Sequence, residues 1–158
     1  MVEEKSFDRI GGWLILVALG IIVSPLRIIV QIFPIYFKSL SDGSWAVLTT
    51  PGTEVYNPLW APILFGEMAI NGGLVLAWVF IAFIFFSKKK IFPKWYIGIL
   101  LFTLVFIIVD ALAINLVLPN EPVFDPDTAK ELGRSLIASL IWVPYMLISK
   151  RVKATFVK

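Results

Sequence analysis

The chain has 158 residues, of which 59% are hydrophobic and 16% charged, and its formal net charge is +3. Soluble domains are about a quarter charged, so this composition is typical of an integral membrane protein. The chain contains no Cys and no His. This excludes disulfides, thiol redox chemistry and Ser–His–Asp or Cys–His catalysis, and it argues against zinc. We therefore predict no cofactor, no metal site and no catalytic residue.

Four hydrophobic stretches are each long enough to cross a bilayer, which takes about 20 apolar residues. They predict an all-α, integral membrane four-helix bundle, with residues 1–158 forming a single transmembrane domain. The predicted helices are at about 10–37, 59–86, 95–118 and 130–149. The segments between them are outer loops 38–58 and 119–129, an inner loop 87–94 and a basic inner tail 150–158. The first stretch is too long for the apolar core of a cleaved signal peptide, so we expect it to be retained.

The distribution of charge predicts that both termini lie on the cytoplasmic side, because cytoplasmic segments are enriched in Lys and Arg. Ten of the 14 basic residues fall in the predicted inner segments: Lys5, Arg9, Lys88, Lys89, Lys90, Lys94, Lys150, Arg151, Lys153 and Lys158. The opposite loops are acidic instead, with Asp42, Glu54, Glu121, Asp125, Asp127 and Glu131. Both termini on one side also agrees with an even number of spans.

The loops and the tail carry weaker signals. Residues Val47–Thr50 and Thr53–Tyr56 are rich in β-branched and aromatic side chains and favour a short hairpin in the first outer loop. The residues Pro126-Asp127-Thr128 offer N-cap choices for the fourth helix. The tail 150–157 is basic and interleaved with apolar residues, a composition compatible with a position on the inner membrane surface, but it is too short to be called an amphipathic helix.

Each predicted span contains an ionisable residue: Arg27, Glu67, Asp110 and Arg134. Such residues are rare in membrane segments and generally face a bundle interior or a wet cavity. At a rise of about 1.5 Å per residue, all four fall in the outer half. Because a guanidinium binds a carboxylate bidentately, we predict that Arg27 and Arg134 neighbour Glu67 and Asp110 in some pairing.

Uncharged polar residues follow the charges at helical spacing and predict an outward-facing polar pocket. Gln31 is four residues after Arg27, and Asn71 is four after Glu67, so each pair shares a helix face. The candidate ligand-binding residues are Arg27, Gln31, Glu67, Asn71, Asp110, Asn115, Arg134 and Ser135. The inner half is rich in Leu, Ile, Val and Phe, and is expected to close the pocket from below.

Two further features have both a structural and a functional interpretation. The small residues Gly66, Ala69, Gly73 and Ala77 let another helix approach the second span, either in ordinary packing or at a dimer seam. The four charges could equally form a salt-bridge network that fixes helix register without binding a ligand. Pro25 and Pro144 lie within spans, where proline removes a helical hydrogen bond and favours a kink.

Several motifs spread over almost the whole chain resemble one known family. They are Gly11-Gly12-Trp13-Leu14, Ser24-Pro25-Leu26-Arg27, Pro93-Lys94-Trp95-Tyr96 with Asp110 in the same helix, Arg134-Ser135-Leu136-Ile137, Ile141-Trp142-Val143-Pro144-Tyr145 and Ser149-Lys150-Arg151-Val152-Lys153-Ala154-Thr155-Phe156-Val157. Together they are similar to the bacterial domain-of-unknown-function family 2569. The resemblance implies a small four-span protein of the bacterial cytoplasmic membrane and no established activity.

These observations favour a binding or transport protein for a small anionic or zwitterionic ligand, or for a lipid headgroup. The ligand would meet Arg27 and Arg134, while Glu67 and Asp110 balance charge or exchange a proton. The alternative is an accessory or assembly protein that docks other membrane proteins through its helix faces. An enzyme is disfavoured, because the two carboxyl groups lack a nucleophile–base constellation. Membrane lipids, a second copy or another membrane protein are the expected partners, and nucleic acid is not.

Overall fold

The structure, a computed structural model, describes residues 9–158, so the predicted inner cation Lys5 lies outside the described residues. Within that range all regular elements are helical. They are α1 (Trp13–Arg27), a π-helical turn (Ile28–Ile32), α2 (Phe33–Ser41), α3 (Ser44–Thr49), α4 (Trp60–Phe86), α5 (Phe92–Val117), α6 (Pro126–Ile148) and α7 (Lys150–Thr155). Four segments are long and apolar enough to span a membrane: the continuous stretch Trp13–Ser41, α4, α5 and α6. The prediction of an all-α membrane fold with four spans is confirmed.

The first and last spans differ from their predicted bounds for local reasons. The first begins at Trp13 because Gly12 has φ 57°, a conformation that favours glycine and precedes the helix. The last begins at Pro126, where the side chain of Asp125 accepts hydrogen bonds from the backbone N–H groups of Asp127 and Thr128, both at 2.9 Å. Asp125 is therefore the N-cap, one residue before the predicted choices, and proline takes the first helical position.

The predicted hairpin in the first outer loop is wrong, because α3 occupies residues 44–49 and the described residues contain no strand. Gly43, with φ 85°, provides the left-handed turn from which the short helix starts. The indole of Trp45 then packs edge-on against Phe65 of α4 at a centroid distance of 4.9 Å. This contact with a span stabilises the loop as a helix, and tertiary contacts of this kind override local β-propensity.

Consecutive spans pack side by side: α1 on α4, α4 on α5, and α5 on α6 most extensively. Side chains connect the first span to the last, as in the contact of Trp13 with Trp142 at 6.4 Å between ring centroids. Both ends of the described chain lie at the same end of the bundle, where Arg151 donates a hydrogen bond to the carbonyl of Arg9 at 3.4 Å. We call this the inner end, following the predicted orientation, and the opposite end the outer end.

The hydrophobic core is concentrated toward the inner end. Phe85 and Phe92 are fully buried, and their ring centroids lie 4.9 Å apart. Further buried members on the spans are Leu14, Val17, Ile21, Leu74, Trp78, Ile81, Ile84, Tyr96, Ile99, Leu100 and Met146. Trp142 and Tyr145, whose centroids are 5.7 Å apart, pack against this core.

The tail packs into the core, a role that its predicted location on the inner membrane surface did not include. Phe156 packs against Phe85 and Phe92 at centroid distances of 5.5 and 4.4 Å. Val152 lies four residues earlier, on the same face of α7, and is also buried. The backbone N–H of Lys90 donates to the carbonyl of Lys158 at 2.7 Å, which fastens the tail to the turn between α4 and α5.

Candidate functional site

Two guanidinium groups from opposite ends of the sequence meet at one carboxylate. Glu131 accepts hydrogen bonds from Arg27 of α1 and from Arg134 of α6, the latter at 3.3 Å. Neither arginine forms an ion pair with Glu67 or Asp110 in the described part of the chain, so the predicted pairing of the arginines with these two carboxylates is wrong. The physical reason is the position of Glu131, which lies three residues before Arg134 on the same face of α6 and reaches both guanidinium groups.

The arginine cluster, defined as Arg27, Gln31, Glu131 and Arg134, keeps a net positive charge. The Nε of Arg27 donates to the side-chain oxygen of Gln31 at 2.9 Å, so a second acceptor orients this guanidinium. A guanidinium has five N–H donors, and Glu131 and Gln31 are its side-chain acceptors among the described residues. The side chains of Arg27, Glu131 and Arg134 are 34%, 41% and 53% exposed. Donors and charge are therefore accessible from outside the bundle.

An irregular helical turn lies at the cluster. Arg27 directly precedes the π-helical turn, which contains Gln31, and the N–H of Phe33 bonds to the carbonyl of Ile28 five residues earlier. Pro25, two residues before Arg27, lacks a backbone N–H and breaks the regular hydrogen-bond pattern. Wider turns of this kind rotate the helix that follows and are frequent at functional sites.

A second cluster, defined as Tyr36, Glu67, Asn71 and Asp110, lies between α2, α4 and α5. The side chains of Glu67 and Asp110 hydrogen-bond to each other. Asn71 is 7% exposed, and its amide donates to the Tyr36 hydroxyl at 2.8 Å and to the Glu67 carbonyl at 3.0 Å. Two carboxyl groups in contact repel unless they share a proton, so this carboxyl cluster is suited to holding one.

Both clusters lie in the outer part of the bundle, but they are separate. Measured along the helices, Arg27 is about 21 Å from the inner end of α1, and Asp110 is about 27 Å from the inner end of α5. The arginine cluster joins α1 to α6, whereas the carboxyl cluster joins α2 to α4 and α5. The residues predicted to form a single polar pocket are therefore divided between two separate polar sites.

The remaining candidates have different positions. The Asn115 amide donates to the carbonyls of Glu121 and Leu118 at 3.0 and 3.4 Å, so it closes the outer end of α5. Ser135 is half-buried on α6 and forms no side-chain hydrogen bond within residues 9–158. Four residues further on, the Ser139 hydroxyl is buried and has no partner among the described residues. Neither Asn115 nor Ser135 contributes to the two clusters.

Sequence reasoning missed Glu131 and Tyr36. Glu131 was assigned to an outer loop, but its spacing of three residues from Arg134 is a signal of a helical ion pair. Tyr36 has no comparable signal, because its contact with Asn71 depends on the rotation of α2 after the π-helical turn. Within the described residues no group of three or more Asp or Glu side chains is placed to hold a metal ion.

Comparisons with known proteins agree with this architecture. The family model described as "Protein of unknown function (DUF2569)" matches residues 7–157. The chain is 32% identical over 153 residues to the inner membrane protein YdgK of Escherichia coli K12, covering 95% of this chain and 94% of that protein. No solved structure matches the chain. With its four apolar spans, the protein is a multi-pass protein of the bacterial inner membrane, and it belongs to the DUF2569 family.

Proposed function

We propose that the protein binds a small anionic or zwitterionic ligand, or a lipid headgroup, at Arg27 and Arg134, and that it is not an enzyme. The observation that carries the proposal is the convergence of these two guanidinium groups on Glu131. A single carboxylate neutralises one cation, so the cluster retains one positive charge. A phosphate or carboxylate oxygen is the natural complement of that charge, since guanidinium binds both bidentately.

The position of the cluster supports binding more than a purely structural role. Its side chains are about one-third to one-half exposed, so the guanidinium donors that Glu131 and Gln31 do not engage can meet a ligand. A structural network that fixes helix register is expected to be buried, as Asn71 is. Glu131 instead holds two cations from different spans close together, in a geometry that a ligand anion can bridge.

The carboxyl cluster gives the proposal a second element. A proton shared by Glu67 and Asp110 can be released or regained in the same outer part of the bundle that binds the anion. This arrangement suits exchange of a proton during binding or transport of an anion. Four spans are few for a complete alternating-access path, so we expect transport to require a dimer.

The test is calorimetric titration of inorganic phosphate into protein held in phosphatidylcholine nanodiscs. We expect saturable binding that the double variant Arg27→Ala/Arg134→Ala loses. A hydrogen bond to a charged group contributes about 1.5–3 kcal/mol, so each arginine is expected to change affinity by about 10- to 100-fold. Repeating the titration in nanodiscs that contain phosphatidylglycerol distinguishes the source of the anion, because a lipid phosphate that occupies the site would compete with free phosphate.

The matched control is Lys38→Ala/Lys130→Ala, which also removes two cations predicted to lie near the outer surface but leaves the arginine cluster intact. It should bind phosphate as the wild type does. Equal binding by the arginine variant and this control would contradict the proposal. So would wild-type protein that binds neither free phosphate nor lipid phosphate, in which case the arginines serve helix association.

A further inference from the structure

An apolar groove lies on the outside of the bundle, between α4 and α5, and no residue of either polar cluster lines it. It has a volume of about 560 Å³ and opens sideways. Its lining is almost entirely hydrophobic, with one cation at one end: Ile70, Gly73, Leu74, Ala77, Ile81, Lys94, Trp95, Gly98, Ile99 and Phe102. Because α4 and α5 are spans, the groove faces the lipid hydrocarbon for most of its length.

The groove exists because small residues face each other on two helices. Gly73 and Ala77 are one turn apart on α4, and Gly98 lies on α5. A Cβ atom added at Gly73 or Gly98 would meet nothing within 4 Å, so no other part of the described chain fills the space. The small residues predicted to let a helix approach the second span therefore leave an open depression within this chain.

The length of the groove matches one leaflet. From Ile81 to Ile70 the α4 wall extends about 16 Å along the helix. Half of a hydrocarbon core of about 30 Å is about 15 Å, which is the depth that one acyl chain occupies. The α5 wall, from Lys94 to Phe102, lies within about 15 Å of the inner end of α5, in the leaflet adjoining the turn between α4 and α5. The α4 wall continues past the midplane, to about 24 Å from the inner end of α4.

The inner end of the groove is polar and positively charged. Lys94 lies in the first turn of α5 and forms no ion pair among the described residues. Trp95 is 50% exposed beside it and packs edge-on against Phe80 of α4 at 5.0 Å between ring centroids. A lysine amine and a tryptophan ring at this depth are typical anchors at the membrane interface.

We propose that this groove binds one acyl chain of an anionic phospholipid, with the lipid phosphate held by Lys94. The apolar wall matches an acyl chain in length and polarity. The amine of Lys94 at its end complements a negatively charged headgroup. A second copy of the chain is a poorer complement. A two-fold axis perpendicular to the membrane would bring both Lys94 side chains together at one depth, where like charges repel. The proposal is independent of the function assigned to the arginine cluster.

The test is native mass spectrometry of delipidated protein titrated with dioleoyl phosphatidylglycerol and, separately, with dioleoyl phosphatidylcholine. We expect one tightly retained phosphatidylglycerol and weaker retention of phosphatidylcholine. Gly98→Leu fills the groove and should reduce retention of both lipids at least tenfold. Lys94→Gln should remove about a fivefold preference for the anionic lipid. One lysine at an anionic surface contributes about 1 kcal/mol, which corresponds to about fivefold in affinity.

Two matched variants serve as controls. Gly66→Leu also adds a side chain to open space on α4, but outside the groove, and should leave lipid retention unchanged. Lys89→Gln removes a neighbouring cation from the turn and should retain the preference for phosphatidylglycerol. Equal retention by Gly98→Leu and wild type would overturn the proposal. A wild-type dimer that Gly98→Leu converts to a monomer would overturn it as well, in favour of a second copy.

Discussion

The two ends of the bundle are built differently. At the inner end, Phe85, Phe92 and Phe156 interlock, each at most 5% exposed, and the tail covers them. At the outer end, the contacts between spans are hydrogen bonds and ion pairs, and many of the participating side chains are half-exposed. Close packing is what drives helix association in lipid, so the inner end holds the bundle together. Because packing at the inner end stabilises the fold, the charged residues at the outer end are not required for stability and are available for function.

Removing packing at the inner end should produce the largest effect. We expect Phe92→Ala to lower the free energy of unfolding by about 3–5 kcal/mol, because the cavity forms among aromatic rings that cannot collapse into it. The matched control is Phe83→Ala on α4, where the side chain is 64% exposed to the predicted lipid face. Equilibrium unfolding by sodium dodecyl sulfate in mixed micelles measures both. Similar losses for the two variants would contradict the division between the ends.

Most of this contrast could be predicted from the sequence, because it follows from composition along each span. The lengths of the apolar stretches predict four spans, and the absence of charged residues near their inner ends predicts an apolar plug. The packing of Phe156 was not predicted, because α7 has only six residues and is too short to show a helical periodicity of apolar residues. The pairing of Arg27 with Glu131 was also missed, because it depends on how the first and last spans pack together, which local sequence patterns do not specify.

Removing the buried amide of the carboxyl cluster should have an intermediate effect. Asn71→Ala leaves the Tyr36 hydroxyl without its donor, and we expect a loss of about 1–3 kcal/mol. Tyr36→Phe removes the same hydrogen bond from the other side and should cost about 0.5–1.5 kcal/mol.

The same micelle unfolding assay, applied to both single variants and the double variant, gives their coupling energy. A double variant that loses less than the sum of the two single variants indicates a shared interaction. Strict additivity would mean that Asn71 and Tyr36 stabilise the outer end independently.

The smallest expected effect concerns the cap of α6, at the outer end. Hydrogen bonds from the backbone and hydroxyl of Thr128, and then from the backbone of Asp127, lower the pKa of Asp125 in the folded protein. A lowered pKa stabilises the fold above the unfolded value of about 3.9, and this stabilisation is lost as pH falls through the folded value. Asp125→Asn keeps a capping oxygen but does not titrate, so its stability should decline less between about pH 5 and pH 3. Parallel pH profiles for the two proteins would contradict this assignment.

The docked tail has a consequence for the order of biogenesis. Val152 and Phe156 follow the fourth span in the chain, yet they fill the centre of the inner core. During synthesis, all four spans leave the ribosome before these side chains are available to pack. The nascent bundle therefore exposes the rings of Phe85 and Phe92 at its inner end until translation has passed residue 156. Packing of the inner core is therefore completed only after the four spans have left the ribosome.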